Sequence, residues 1–224
     1  MKWLDYHTHA SGCERYIHDP DVLVVQSLQL GEKPHVRADY ATIGLHPMLP
    51  STLEFIRLSP EEQYQVLKES ILTSATPIIA IGECGWDRRS PLTEPQQDSL
   101  MELQTSLAEE LHRPLIIHCV SSWHLLLKFQ KSHPHALFIV HGFRGNPALA
   151  QQLTQAGVRL SLHPLMIKHA TKLPNQFFIE SDEASHHLRE LYQTATTKKG
   201  CDLLEFREGI FKCFYHLHLS QFNN

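Results

Sequence analysis

Sulfur pairing is the first thing this sequence lacks: Cys13, Cys84, Cys119, Cys201 and Cys213 are odd in number, widely spread and form no C-x-x-C pair. That excludes a disulfide framework and a thiolate zinc ribbon, and reduced thiols are expected. No run reaches the roughly 18 apolar residues of a membrane-spanning helix. The opening Met1-Lys2-Trp3-Leu4-Asp5-Tyr6-His7 puts an acid and a histidine where a secretory signal needs an apolar core, so a cytoplasmic protein with no membrane partner is expected. Basic excess is missing too: 20 Lys+Arg stand against 24 Asp+Glu. The resulting net charge of -4 removes the footprint of nonspecific duplex binding without excluding nucleic acid as a substrate. There is no G-x-S-x-G elbow, no phosphate-cradling P-loop, no repeat and no low-complexity tract. Lys198-Lys199 reads as the charged end of a helix, since two residues do not make an electrostatic groove.

What is present is ordinary globular composition, 42% apolar and 20% charged, over 224 residues, and one domain spanning 1–224 is the expectation. Histidine is the outlier. Its 17 copies outnumber the 10 glycines, although glycine averages roughly 7% of residues. A metal or acid-base site is worth seeking.

Eight short apolar runs recur along the chain: Trp3 to His9, Val22 to Leu28, Tyr40 to Leu45, Ile78 to Gly82, Leu115 to Cys119, Leu137 to Val140, Val158 to Leu162 and Phe177 to Ile179. Most are continuously apolar rather than alternating, as parallel strands covered on both faces require. Helical patterns fall at Pro60 to Leu72, Pro95 to His112, Ser122 to Gln130 and Pro147 to Ala156. Only about a dozen residues separate each of the first three runs, too few for complete crossover helices. The expected fold is α/β, a compact or distorted (β/α)8 barrel with trimmed first crossovers, near the lower length limit of roughly 200 residues for that fold. An open doubly wound sheet is the alternative.

The polar residues choose between them. Asp5, His7 and His9 alternate along the first run and are expected on one face. Glu83 follows the fourth run, His118 the fifth, His141 the sixth, and Glu180-Ser181-Asp182 the eighth. Barrel enzymes place their active residues at this C-terminal end of the strands. Nitrogen and oxygen donors of these types suit zinc, manganese or iron, whereas all-oxygen magnesium or calcium sites fit poorly.

The segments Asp5-Tyr6-His7-Thr8-His9, Gly44-Leu45-His46-Pro47, Gly82-Glu83-Cys84-Gly85-Trp86-Asp87, Pro114 to His118, His141-Gly142-Phe143-Arg144-Gly145 and Glu180-Ser181-Asp182 resemble, in order and spacing, the TatD family of metal-dependent hydrolases within the amidohydrolase-like barrel group. The resemblance implies one or two divalent ions, zinc, manganese or magnesium. His7, His9 and Asp182 would bind one, His118 and His141 the second, and Glu83 would bridge both. Asp182 and Glu83 would be the catalytic carboxylates. Asp87 orients a ligand or contacts substrate in this reading, while His46 contacts substrate or serves the turn before Pro47. The remaining histidines outside the motifs are read as solvated or packing residues, except His163, which ends the seventh strand near the mouth and joins the substrate-binding candidates.

The sequence departs from the family pattern in three places. Val120 stands where relatives commonly carry arginine two residues after the fifth-strand histidine, and Arg144 is the candidate replacement that would bind a phosphate. The segment Glu180 to Ser185 alters the loop after the metal carboxylate, and the shortened stretch from Ala10 to Pro47 removes much of the surface that could line one side of the mouth. The expected activity is phosphodiester hydrolysis of deoxyribonuclease type, on DNA or a small phosphodiester. The rivals are an amidohydrolase-like reaction on an amide, lactone or small ester, a phosphoesterase of the polymerase-and-histidinol-phosphatase type, and a noncatalytic metal-binding barrel.

Overall fold

In the computed structural model, which describes residues 2–219, every one of the eight apolar runs forms a strand. They are β1 (Trp3–Thr8), β2 (Val22–Gln29), β3 (Tyr40–Gly44), β4 (Ile78–Asp87), β5 (Leu115–Val120), β6 (Phe138–Phe143), β7 (Arg159–Leu162) and β8 (Phe178–Ile179). All neighbours pair in parallel in sequence order. The sheet closes where Asp182 N donates to the His7 carbonyl at 2.9 Å and Thr8 bridges to Asp182. The result is a (β/α)8 barrel, and the open doubly wound sheet is ruled out by that contact between the last strand and the first.

The early crossovers are short, as their length requires. Between β1 and β2 there is only α1 (Ala10–Glu14), and β2 passes to β3 without a helix. Arg37 ties that bare connection down: its guanidinium donates to the carbonyls of Tyr16 and Asp19 at 2.8 and 2.9 Å and pairs with Asp39 at 2.7 Å. Side-chain hydrogen bonds to backbone carbonyls satisfy here what a helix would otherwise cover. After β3 come α2 (Pro50–Phe55) and α3 (Pro60–Leu72). From β4 to β7 one helix follows each strand: α4 (Glu94–Glu110), α5 (Trp123–Ser132), α6 (Pro147–Gln155) and a 3-10 helix over Pro164–Lys172. The start of α3 is written in its sequence, because Ser59 Oγ accepts from Glu62 N while Glu62 accepts from Ser59 N, a capping box followed by proline.

Two further helices follow β8: α7 (Leu188–Lys199), of which only the charged end at Lys198-Lys199 was expected, and α8 (Leu203–Phe214), which was not. A π-helical turn, Tyr215–Leu219, follows them and brings His218 against the barrel. Tyr6 stacks on Phe178 and donates to His218 Nε2 at 3.0 Å, while His218 Nδ1 donates to the Ile79 carbonyl at 3.2 Å. Burial pushes His218 down to about 4, so it sits there as a neutral imidazole with one donor and one acceptor. No helix of the described residues is long and apolar enough to cross a membrane.

Strand β4 is the longest, and all ten of its residues are buried. It passes so close to β5 that a Cβ on Gly85, whose φ is +138°, would lie far inside van der Waals contact with the His118 carbonyl oxygen. Gly85→Ala is therefore expected to destabilise the fold by about 3 kcal/mol, since neither backbone has room to retreat. In a domain of this size that lowers Tm by about 6–12 °C in a thermal melt. An unchanged Tm would mean that the two strands separate there at no cost.

Candidate metal centre

The six carboxylate and imidazole groups expected as metal ligands converge at the C-terminal end of the barrel. His7 stands near the end of β1, His9 just beyond it, His118 and His141 within β5 and β6, and Asp182 three residues past β8. Glu83 corrects the expected strand end: it sits inside β4, which continues four residues further to Asp87. It reaches the mouth because the β4–β5 register shifts between Ile81 and Cys84. The one-face expectation also fails at Asp5. The β1–β2 register shifts between Asp5 and Thr8, which breaks the alternation. The Asp5 carboxylate is directed instead to Ser181 N, Ser181 Oγ and the Tyr16 hydroxyl, at 2.8, 2.6 and 2.8 Å. Burial raises it to about 6, against the opposing pull of those three donors.

The two oxygens of Glu83 face different imidazoles. His7 Nε2 and His9 Nε2 approach Oε1 at 3.3 and 3.6 Å. On the other side, His141 Nε2 and His118 Nδ1 approach Oε2 at 2.7 and 3.7 Å. His9 Nε2 also lies 3.5 Å from Asp182 Oδ1. Ser27 Oγ donates to Oε1 at 3.0 Å and steadies the carboxylate. Ser27 escaped notice in the sequence, where it is one hydroxyl inside an apolar run.

Hydrogen bonding separates the imidazoles that fit a metal from one that does not. Asp87 accepts from His118 Nε2 at 3.0 Å, which leaves Nδ1 with its lone pair facing Glu83. His7 Nε2 and both ring nitrogens of His141 are buried without an aligned hydrogen-bond partner, despite their closeness to carboxylates. Buried imidazole nitrogens left in this way are what a divalent ion would satisfy. His46 is different: its Nδ1 accepts from Met48 N at 3.1 Å, so in the neutral ring Nε2 carries the proton, 3.6 Å from Glu83 Oε2. Burial lowers His46 to about 4, which keeps it neutral, and its free Nε2–H is a donor rather than a ligand.

Burial opposes protonation of His141, but Glu83 and Glu180 hold it well above the ordinary imidazole value, so without a cation the positive charge beside Glu83 falls on that ring. Burial alone would raise Glu83, but His141 and His7 beside it hold it well below the ordinary carboxylate range. Burial likewise opposes ionisation of Asp182, and contact with His9 together with the charges of His7 and His141 reverses that. Burial and His141 lower His118. Glu180, fully buried, accepts from Gly142 N at 2.7 Å through Oε1 and leaves Oε2 unpaired. Ionised buried carboxylates need positive charge close by. A divalent ion supplies it with neutral imidazoles as ligands, so these residues fit one. Three-residue groups able to hold a cation include His7-His9-Asp182 and His7-Glu83-His141.

A cavity of about 670 Å³ opens over the cluster, and His9, His46, Glu83, His118, His141, Arg144 and Asp182 line it. Arg144 is exposed on its rim. His163 is nearly buried and spends Nδ1 on Leu165 N at 3.2 Å, capping the 3-10 helix, and it is not among the residues lining the cavity. Asp87, matched only loosely to a role in the sequence, is the hub between His118 and Arg89. Arg89 lines the cavity, and in the sequence it is merely one of two adjacent arginines in a loop, with nothing to single it out.

The family model described as TatD related DNase matches residues 7–190. An uncharacterized metal-dependent hydrolase of Methanocaldococcus jannaschii is 26% identical over 158 residues, which is 70% of this chain and 58% of that protein. A protein of Salmonella typhimurium named 3'-5' ssDNA/RNA exonuclease TatD is 29% identical over 143 residues, 61% of this chain and 50% of that one. The match thus spans between half and three fifths of the length of these two relatives. In structure, a TatD homolog from Escherichia coli superposes with a TM-score of 0.73 at 20% identity over 96% of this chain and 97% of the other, which shows the shared fold. With a family model spanning most of the chain, including every candidate ligand, the chain belongs to the TatD related DNase family.

Proposed function

We propose that this chain is a divalent-metal-dependent phosphodiesterase of deoxyribonuclease type. The observation that carries the reading is the division of Glu83, with Oε1 toward His7 and His9 and Oε2 toward His118 and His141. A carboxylate flanked in this way suits a bridge between two cations, with Asp182 completing the first set and zinc or manganese matching the donors. When bound, such ions supply Lewis acidity and lower the pKa of water toward roughly 7. Asp182 is placed to accept the proton of the attacking water: its carboxylate is ionised, partly exposed to the cavity and oriented by His9. His46 Nε2–H is placed to donate to an oxygen of the substrate. The Salmonella relative's name supports a nucleic-acid strand as substrate, and a small phosphodiester fits the same chemistry. Five free thiols suit a reducing compartment, and we place the enzyme in the cytoplasm on that ground.

Val120 lines the cavity and favours a second reading, in which a neutral ester or lactone is cleaved by the same groups. Hydrolysis of single-stranded DNA and of bis(p-nitrophenyl) phosphate, beside p-nitrophenyl acetate and a lactone, separates the two. The expected result is phosphodiester turnover that a chelator removes and manganese or zinc restores. Turnover of the ester or lactone alone would select the second reading.

A further inference from the structure

We propose that Arg89, clamped by Asp87, is the cationic group that receives the phosphoryl oxygens of the substrate. The proposal rests on the phosphodiester reading and names the residue that makes the cavity selective for an anion. Three carboxylates, Glu83, Asp182 and Glu183, line that cavity, so an anionic substrate entering it needs fixed positive charge at the wall. Two guanidinium groups line it as well, Arg89 and Arg144.

The two differ in how they are held. Arg89 Nε donates to Asp87 Oδ1 at 3.0 Å, Nη2 donates to Oδ2 at 2.7 Å, and its backbone N–H donates to Oδ1 at 2.9 Å. The Asp87 carboxylate behind it is fully buried and accepts from His118 on its other side, so it cannot swing to follow the arginine. The side chain of Arg89 is nevertheless 68% exposed. Of the five N–H donors of a guanidinium, these bonds use one on Nε and one on Nη2 and leave three for a ligand. A rotamer already fixed loses little entropy on binding, whereas a mobile arginine must be ordered first. Arg144 is exposed, and none of the described hydrogen bonds or ion pairs fixes it. The wall beside Arg89 is apolar at Val120, which pairs with Asp87 in the β4–β5 register.

The test is calorimetric titration of the metal-loaded protein with inorganic phosphate, beside KM for bis(p-nitrophenyl) phosphate. Arg89→Ala is expected to weaken phosphate binding and raise KM by about tenfold, the loss of one charge-assisted contact. Its metal content is expected to stay at the wild-type level, and Arg89→Lys, which keeps the charge and loses the fork, is expected to fall between. Val120→Arg placed in the Arg89→Ala background is expected to recover binding, because it returns a guanidinium to the same stretch of wall. A merely structural role for Arg89 would not respond to that second change. Loss of metal from Arg89→Ala overturns the proposal by showing that Arg89 acts through Asp87 and His118. Absence of rescue, or a larger loss from Arg144→Ala, overturns it equally. If the wild type fails to hydrolyse phosphodiesters while phosphate affinity still depends on Arg89, the anchor stands and the functional reading falls. Phosphodiester turnover with unchanged KM and phosphate affinity in Arg89→Ala means the converse: the functional reading stands and the anchor falls.

Discussion

Glu83→Ala is expected to strip metal from both halves of the centre and to lower turnover by more than the roughly 100-fold that follows loss of a ligand's supporting partner. The carboxylate is nearly buried; His7 and His9 approach its Oε1, while His118 and His141, with the donor His46 beside them, approach its Oε2. Without it, the rings of His7 and His141, stacked with centroids 4.2 Å apart, lose the negative charge between the two sets. Two divalent ions brought to those sets would then repel each other with no anion to offset them. Metal content after dialysis, measured by mass spectrometry, is the direct reading. Glu83→Gln keeps the shape and removes only the charge, so its comparison with Glu83→Ala separates charge from packing. Full stoichiometry at both positions in Glu83→Ala would end the bridging assignment.

Asp182→Asn is expected to lower kcat by at least the roughly 10² attributed to general acid-base catalysis, with metal lost only in part. The backbone of Asp182 is left-handed at φ 52°, a conformation that asparagine adopts as readily as aspartate. Its N–H bond to the His7 carbonyl does not involve the side chain, so barrel closure survives the change. An amide oxygen still meets metal, but it accepts no proton. Excess metal distinguishes the two deficits: weakened binding is restored by mass action, and a missing proton acceptor is not. Wild-type kcat at saturating metal and substrate, with chemistry rate-limiting, would refute the role of Asp182 as proton acceptor.

Much of the architecture is legible because buried parallel strands must be apolar throughout. Runs such as Ile78 to Ile81 and Leu115 to Ile117 therefore announce themselves without a partner. The helix over Pro60–Leu72 is legible for a local reason, its proline start and capping box. By contrast, α7 is legible only at its charged end, Lys198-Lys199, and α8 is not. Leu188, Leu191, Tyr192 and Ala195 do recur at helical spacing on one buried face of α7, but the segment is short and otherwise strongly polar, and only its charged end stands out. At the site, the ligand types are legible from their places after the apolar runs, and Asp5 misleads because alternation assumes a regular strand that β1 does not keep.

What the sequence by itself determined is the set of local preferences: eight strands, several helix starts, early crossovers too short for full helices, and a His, Glu and Asp complement near the strand ends. These follow from side-chain chemistry and from spacing between near neighbours in the chain. Only the tertiary structure decided which of those groups face one another. The contact between Asp182 and His7 joins the first strand to the segment after the last. The division of Glu83 depends on a register shift in β4, and the clamp from His118 through Asp87 to Arg89 depends on two strands lying side by side. Side-chain direction in a strand reverses with every residue of register, so such pairings are set by how neighbouring strands align, which no local pattern encodes.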